Sequence, residues 1–315
     1  MASSPNTSAG QAGRYACLLY DSTFKVVLVK PSQKELIRRI IELLIPGKRI
    51  SSLSFIDKEQ HGLVVSEKST TFDMLCKDEA SGEEFIVEMQ FSEHSTYRDR
   101  MLSYATYPIR EQLAEKLSRR LAGEPLNKMD YSLRPVYVLS FLNFSLEHED
   151  ADALDEENGL ISRYAVRNDR NGELMTDALH FVYVEMGRFP YKADEEDKCR
   201  TLLEKFVFSL KYMHTLAGQP GSFTEDLLRL LYRATELGSM SITQRESYEK
   251  NMRNELDIYV EKSFAQQQGL KEGMEKGLEK GRAEGEAKAL LETARRMQAS
   301  GADSSYIKQM TGIEL

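Results

Sequence analysis

Cysteine is scarce in this chain, and the few present stand apart. Of 315 residues, three are cysteine: Cys17, Cys76 and Cys199. The number is odd and no two form a CxxC pair, which excludes a disulfide framework and fits a reducing, cytoplasmic setting. The five histidines (His61, His94, His148, His180 and His214) show no zinc-like spacing, so a structural zinc site is not expected. An excess of positive charge is also missing. The net charge of −8 argues against coating nucleic acid by bulk charge, though it leaves room for a local basic groove. No run approaches the ~20 apolar residues that span a bilayer. Residues 1–13 are small and polar, without the apolar core of a signal peptide, and read as a disordered tail. No membrane association is expected.

What is present suffices for a folded core. Hydrophobic residues make up 41% and charged residues 29%, a globular balance. The length allows one large domain with appendages or two small ones. A short helix or turn is expected around Asp21-Ser22-Thr23-Phe24-Lys25. Leu36, Ile37, Ile40, Ile41 and Leu44 recur at helical spacing within residues 33–45, and Pro46-Gly47 stops that helix. Further helices are expected over 95–121, 195–217, 223–237 and 243–258, with apolar strands at 135–144 and 178–186. The acidic stretch 147–157 reads as a solvated loop.

Two alternating segments form a hairpin. In residues 70–77, Phe72, Met74 and Cys76 share one face, with Asp73 and Leu75 on the other. In residues 84–91, Phe85, Val87, Met89 and Phe91 oppose Ile86, Glu88 and Gln90. Folding about the polar turn 78–83 and pairing Lys77 with Glu84 sets Asp73 opposite Glu88, with Gln90 on the same face. Like charges directly opposite destabilise a hairpin unless a proton or a cation relieves them. Geometry alone leaves two readings: a wet face that tolerates both acids, or a site for a hard divalent cation such as Mg²⁺. Oxygen ligands leave Mn²⁺ and Ca²⁺ open as well.

The helix after the hairpin carries Tyr97, Arg98, Arg100, Tyr104, Tyr107 and Arg110, with Arg100, Tyr104 and Tyr107 on one face. Guanidinium groups suit phosphate and tyrosines can stack on bases. The competing reading makes the tyrosines core and the arginines snorkelling surface. His94 falls just past the strand and reads as a surface residue. Near the C-terminus Gly269, Gly273, Gly277, Gly281 and Gly285 repeat every four residues. Each glycine costs a helix up to about 1 kcal/mol, so the stripe serves close approach of a partner helix or marks a fraying linker. The end reads as helix, turn at Gly301, then helix from Asp303 to Met310. Lys308 is the sole basic group on that last helix, which favours a protein–protein or oligomerisation module over groove binding.

Asp73 followed by Glu88-Met89-Gln90 resembles the D…(D/E)xK motif of the PD-(D/E)XK nucleases, with Gln90 in the usual lysine position. The IVEMQ strand and the helix Thr96-Tyr97-Arg98-Asp99-Arg100-Met101-Leu102-Ser103-Tyr104 are similar to the recombination-promoting nuclease / putative transposase family. So are the opening Asp21-Ser22-Thr23-Phe24-Lys25 segment, the Gly-Lys-Glu repeats and the closing ARRMQASGADSSYIKQMTGI. Each motif alone is weak; their order and spacing are fairly specific.

The resemblance implies an α/β fold, an αβββαβ restriction-endonuclease-like core with a mixed sheet flanked by helices and a helical C-terminal extension. It implies Mg²⁺-dependent DNA cleavage that promotes recombination. Asp73 and Glu88 would then be metal ligands, and Gln90 would stand where lysine orients or activates water. Asp21 is a third acidic candidate or simply a helix cap. Arg98, Arg100, Tyr97 and Tyr104 are the candidate DNA contacts. A glutamine amide is neither a general base nor a positive charge near neutral pH. That departure keeps a second reading open: a non-catalytic DNA-binding or assembly protein on a nuclease-like fold. The expected organisation is a tail 1–13, a nuclease-like domain 14–260, a glycine-periodic helix or linker 261–298 that could pair copies of the chain, and a short helical module 299–315.

Overall fold

The computed structural model describes residues 13–56, 73–122, 131–148 and 159–314. Most of the expected tail and most of the acidic stretch 147–157 lie outside these residues, as do His61 and Phe72. The chain forms two compact units, Met1–Met252 and Arg253–Leu315.

The first unit is built on a six-stranded sheet. Helices α1 (Asp21–Leu28) and α2 (Lys34–Leu44) precede strands β1 (Leu53–Phe55), β2 (Met74–Asp78) and β3 (Glu84–Gln90). Helix α3 (Tyr97–Leu121) leads to β4 (Val136–Leu142), β5 (Ile161–Ala165) and β6 (Leu179–Glu185). The strand order is β1-β2-β3-β4-β6-β5. The first three strands are antiparallel, β3, β4 and β6 run parallel, and β5 closes the edge antiparallel to β6. From α2 to β4 this is the αβββαβ order.

Period-2 alternation decides which face each helix covers. Cys76, Phe85, Val87, Met89, Leu139, Phe141, Val182 and Val184 point into one core, shared with Phe24 of α1 and with Leu36, Ile37, Ile40 and Ile41 of α2. Two later helices complete that layer: α4 (Leu202–Tyr212) and α5 (Asp226–Thr235). Leu75, Ile86, Val138, Leu142 and Tyr183 point the other way, onto Tyr97, Met101, Tyr104 and Ala105 of α3. The hairpin turn works because Asp78 accepts bonds from the Ser52 and Ser81 amides. Gly82 takes a left-handed φ of +74° there, which a side chain would oppose.

Several expectations need correction. The helix expected over 195–217 is shorter, because Thr201 and Glu204 form a capping box that starts α4 at Leu202. Strands β1 and β5 were not anticipated: β1 has three residues, and β5 alternates poorly at an edge. The expected helix 243–258 and the glycine stripe belong to one helix, α6 (Ile242–Ala299). In the second unit Gly301 adopts φ +86° and Asp303 caps α7 (Ser304–Thr311), as the turn residues suggested.

At the end of β6 lies a buried carboxylate. Glu185 is fully buried and accepts from the Leu146 amide at 2.8 Å, from Ser162 Oγ, and from Arg188 Nε at 3.0 Å, with His148 Nε2 at 2.8 Å. Burial would raise its pKa; these bonds outweigh burial and lower it. Arg188 also donates to the Leu146 carbonyl, and Arg98 to that of Glu147.

Phe206 is fully buried and meets Phe141 edge to face with ring centroids 5.8 Å apart. Phe206→Ala should lower unfolding stability by about 3–5 kcal/mol, read from urea denaturation. A loss below about 1 kcal/mol would mean that the layer between sheet and α4 is not packed as described.

Candidate active site

Strand register carries two acids to the same point. The pairs Lys77↔Glu84 through Met74↔Val87 place Asp73, the residue before β2, beside Glu88. Their contact is reciprocal. The Asp73 amide donates to Glu88 Oε2 at 2.7 Å, and the Met89 amide donates to Asp73 Oδ2 at 2.8 Å. Both acids are buried, with 5% and 4% of their surface exposed.

Helix α1 brings two more charged groups. Asp21 and Lys25 are one turn apart and face the sheet end, because Phe24, Val27 and Leu28 are buried on the adjoining side. Lys25 Nζ lies 2.7 Å from Asp73 Oδ1 and 3.1 Å from Asp21 Oδ1. Tyr20, not Asp21, holds the N-cap position, so Asp21 is free of that duty.

These neighbours spread the acids' affinities for protons. Burial, a hydrogen bond with Asp21 and the charge of Glu88 push Asp73 well above the usual carboxylate range. Burial raises Asp21 too, but its hydrogen bond with Asp73 and the Lys25 charge win and lower it. Glu88 rises from 4.5 to about 7, chiefly through burial. Lys25 is raised: burial opposes its charge, but Asp73 and Asp21 favour it more strongly.

Gln90 is engaged at both ends of its amide. Nε2 donates to the Ser92 carbonyl at 2.9 Å, and Oε1 accepts from Arg100 Nη2. The amide expected to orient water is therefore occupied in orienting Arg100. The Arg100 guanidinium also lies 5.7 Å from the Tyr97 and Tyr104 ring centroids.

The candidate DNA contacts divide. Tyr97 is 2% exposed and packs edge-on against Phe144 and Tyr183, and Tyr104 sits in the same core layer. As placed, neither ring offers a face to a base. Tyrosines at this spacing bury with Met101 and Ala105, whereas Arg98 remains exposed and Arg100 half-buried beside the acids. His94 is exposed, and its backbone carbonyl accepts from the Tyr97 amide at 3.0 Å. Lys25 joins the site beyond the residues expected from the sequence, where its one signal is the i, i+4 spacing from Asp21.

Among the described residues, no group of three or more His, Cys, Asp and Glu forms a ready-made metal cage. The donor chemistry nonetheless suits a hard divalent cation. Asp73 and Glu88 are buried oxygen donors in mutual contact, Asp21 adjoins them, and they already hold one cation, the Lys25 ammonium. Mg²⁺ typically needs one or two carboxylates and completes its shell with water and phosphate.

A mixed sheet whose second and third strands converge two carboxylates beside an N-terminal helix is the architecture of a PD-(D/E)XK-type nuclease core. A family model described as PD-(D/E)XK nuclease family transposase matches residues 18–265, and the chain belongs to that family. Neither the curated proteins nor the solved structures gave a match. No helix among the described residues is long and apolar enough to cross a membrane.

The raised pKa of Glu88 has a consequence for stability. Below about 4.5 both folded and unfolded chains hold the proton. Between about 4.5 and about 7 the unfolded chain releases it first, so stability falls as pH rises through that window. Asp73 pulls in the same direction. In metal-free buffer Glu88→Gln should therefore gain stability over wild type from pH 4.5 to 7, reaching a plateau of a few kcal/mol at most. A difference that stays constant from pH 4 to 8 would contradict the assignment.

Proposed function

We propose that this chain is a divalent-cation-dependent endodeoxyribonuclease whose cuts promote DNA recombination. The observation that carries the proposal is the buried, reciprocally bonded pair Asp73 and Glu88. Mutual repulsion makes such a pair costly unless a proton or a cation relieves it, and a divalent cation is the relief that phosphodiester hydrolysis would use. Asp73 and Glu88 would hold the metal, with Asp21 as a third oxygen donor. Mg²⁺ is the expected ion, and Mn²⁺ or Ca²⁺ has the same oxygen preference. When bound, such an ion activates water and stabilises charge on a phosphodiester.

The chain's own groups do the rest. The Asp73 and Met89 amides fix the two carboxylates in orientation. Gln90 holds Arg100 beside them, where a guanidinium suits phosphate. Arg98, exposed on the first turn of α3, would meet the backbone of a duplex. Purified protein incubated with supercoiled plasmid should nick or linearise it with Mg²⁺ or Mn²⁺, and chelation should stop the reaction. Asp73→Asn and Glu88→Gln should each lose more than the ~100-fold typical of groups one contact removed from a metal. DNA binding without cleavage under every metal tried would instead favour a non-catalytic binding or assembly protein, the reading that glutamine in place of lysine supports.

Cutting both strands of a duplex calls for two sites, which two copies of the chain would supply. The glycine-striped part of α6 is suited to pairing them. A Cβ added at Gly269, Gly273, Gly277, Gly281 or Gly285 meets nothing within 4 Å, and the neighbouring Leu270, Met274 and Leu278 are exposed. In sedimentation velocity the whole chain should run as a dimer, and Gly273→Lys/Gly277→Lys as a monomer. Identical sedimentation of both would remove α6 as the pairing surface.

A further inference from the structure

The site lacks a lysine on its strand and holds one on its helix. Lys25 reaches the carboxylates from α1, 2.7 Å from Asp73 Oδ1 and 3.1 Å from Asp21 Oδ1. Its side chain is 35% exposed while that of Asp73 is fully buried. The ammonium therefore closes the outer side of the acidic cluster, where a ligand would arrive.

Charge counting shows what the site needs. Asp21, Asp73 and Glu88 bring three negative charges when ionised, and the positive groups that bear on them are Lys25 and Arg100. Arg100 is engaged by Gln90 Oε1 and flanked by two tyrosine rings. The Lys25 ammonium is held by the carboxylates of Asp73 and Asp21, and these are the oxygens that a divalent cation would take. With Asp73 and Asp21 holding a divalent cation, the ammonium would lose those oxygens as partners. A lysine side chain has four rotatable carbons and a compact charge, so it can turn to a new anion nearby.

We propose that Lys25 is a catalytic group of this site, passing from its carboxylates to the phosphate oxygens of bound DNA and supplying there the positive charge that Gln90 does not. The inference rests on the nuclease reading. In the hydrolysis, the oxygen of water bonds to phosphorus and the bond from phosphorus to the sugar oxygen breaks. One proton of the water leaves with that sugar oxygen and the other stays on the new phosphate monoester. Lys25 neither gains nor loses a proton; its charge offsets the negative charge that builds on the phosphate oxygens.

The test compares wild type with Lys25→Met in plasmid cleavage, in calorimetric titration with Mn²⁺, and in DNA binding. Cleavage should fall by ~100-fold or more, as when one donor to a developing oxyanion is removed. Mn²⁺ should bind at least as tightly as in wild type, because a competing cation is gone. Undiminished cleavage overturns the proposal. So does Mn²⁺ binding weakened enough to account for the loss, which would make Lys25 a positioning residue for the carboxylates. Because Lys25→Met leaves a buried carboxylate unpaired and could unfold the site, a second variant restores the charge chemically. Lys25→Cys treated with bromoethylamine regains an ammonium at nearly the original reach. The three native cysteines are buried, so the reaction is directed to position 25. Recovery of cleavage supports the proposal, and recovery of thermal stability without cleavage overturns it. A wild type that binds Mn²⁺ through Asp73 yet cuts nothing would overturn the nuclease reading itself, and this inference with it.

Discussion

Two backbone amides hold the acidic end of the sheet together. The Asp73 amide bonds the Glu88 carboxylate, and the Met89 amide bonds the Asp73 carboxylate. Each strand thus supplies the hydrogen-bond donor for the other strand's acid. The arrangement requires one register, since a slip of one strand by a single residue would turn that strand's acid to the opposite face, into the layer that holds Phe85, Val87 and Met89. The apolar alternation of β2 and β3 is therefore what keeps the charged pair where it is. Core packing and site geometry follow from the same period of two.

Around that pair the protein assembles charges from three separate stretches of chain. Helix α1 contributes Asp21 and Lys25, the hairpin contributes Asp73, Glu88 and Gln90, and α3 contributes Arg100. The resulting cluster is buried on its sheet side and capped on its helix side by the partly exposed Lys25. Burial there opposes the ionisation of Asp73 and Glu88. Lys25 satisfies the cluster internally, through its contacts with Asp73 and Asp21.

Much of this was legible in the sequence because it is local. The pairing of Lys77 with Glu84 followed from the polar turn, and the opposition of Asp73 and Glu88 followed from that pairing. The amphipathic pattern of α2 and the Gly301–Asp303 turn were readable for the same reason. What escaped was long-range or weakly patterned. β5 presents Ser162, Arg163 and Tyr164 at an edge and gains its identity only by pairing with β6. The spacing from Asp21 sets Lys25 on the same face of α1, but only the packing of α1 against β3 brings it to Asp73. Tyr97 and Tyr104 looked suited to bases because aromatic residues serve cores and nucleic acids alike, and the sheet face beneath α3 claimed them. Gln90 looked like a replacement for lysine, and it became the anchor of an arginine.

The clamp on Glu185 bears on how the first unit loosens. This carboxylate ties the end of β6 to the loop after β4, and Arg98 ties that loop to the first turn of α3. Two residues further along, Arg100 ties the same turn to Gln90 at the end of β3. The exit ends of three parallel strands are thereby linked through side chains as well as through the sheet. Such a linkage makes local opening cooperative: the loop, the turn and the strand ends should come apart as one unit instead of fraying independently. A pull on Arg98 would then be felt at Gln90, eight residues earlier in the chain at the end of β3, with no hinge required.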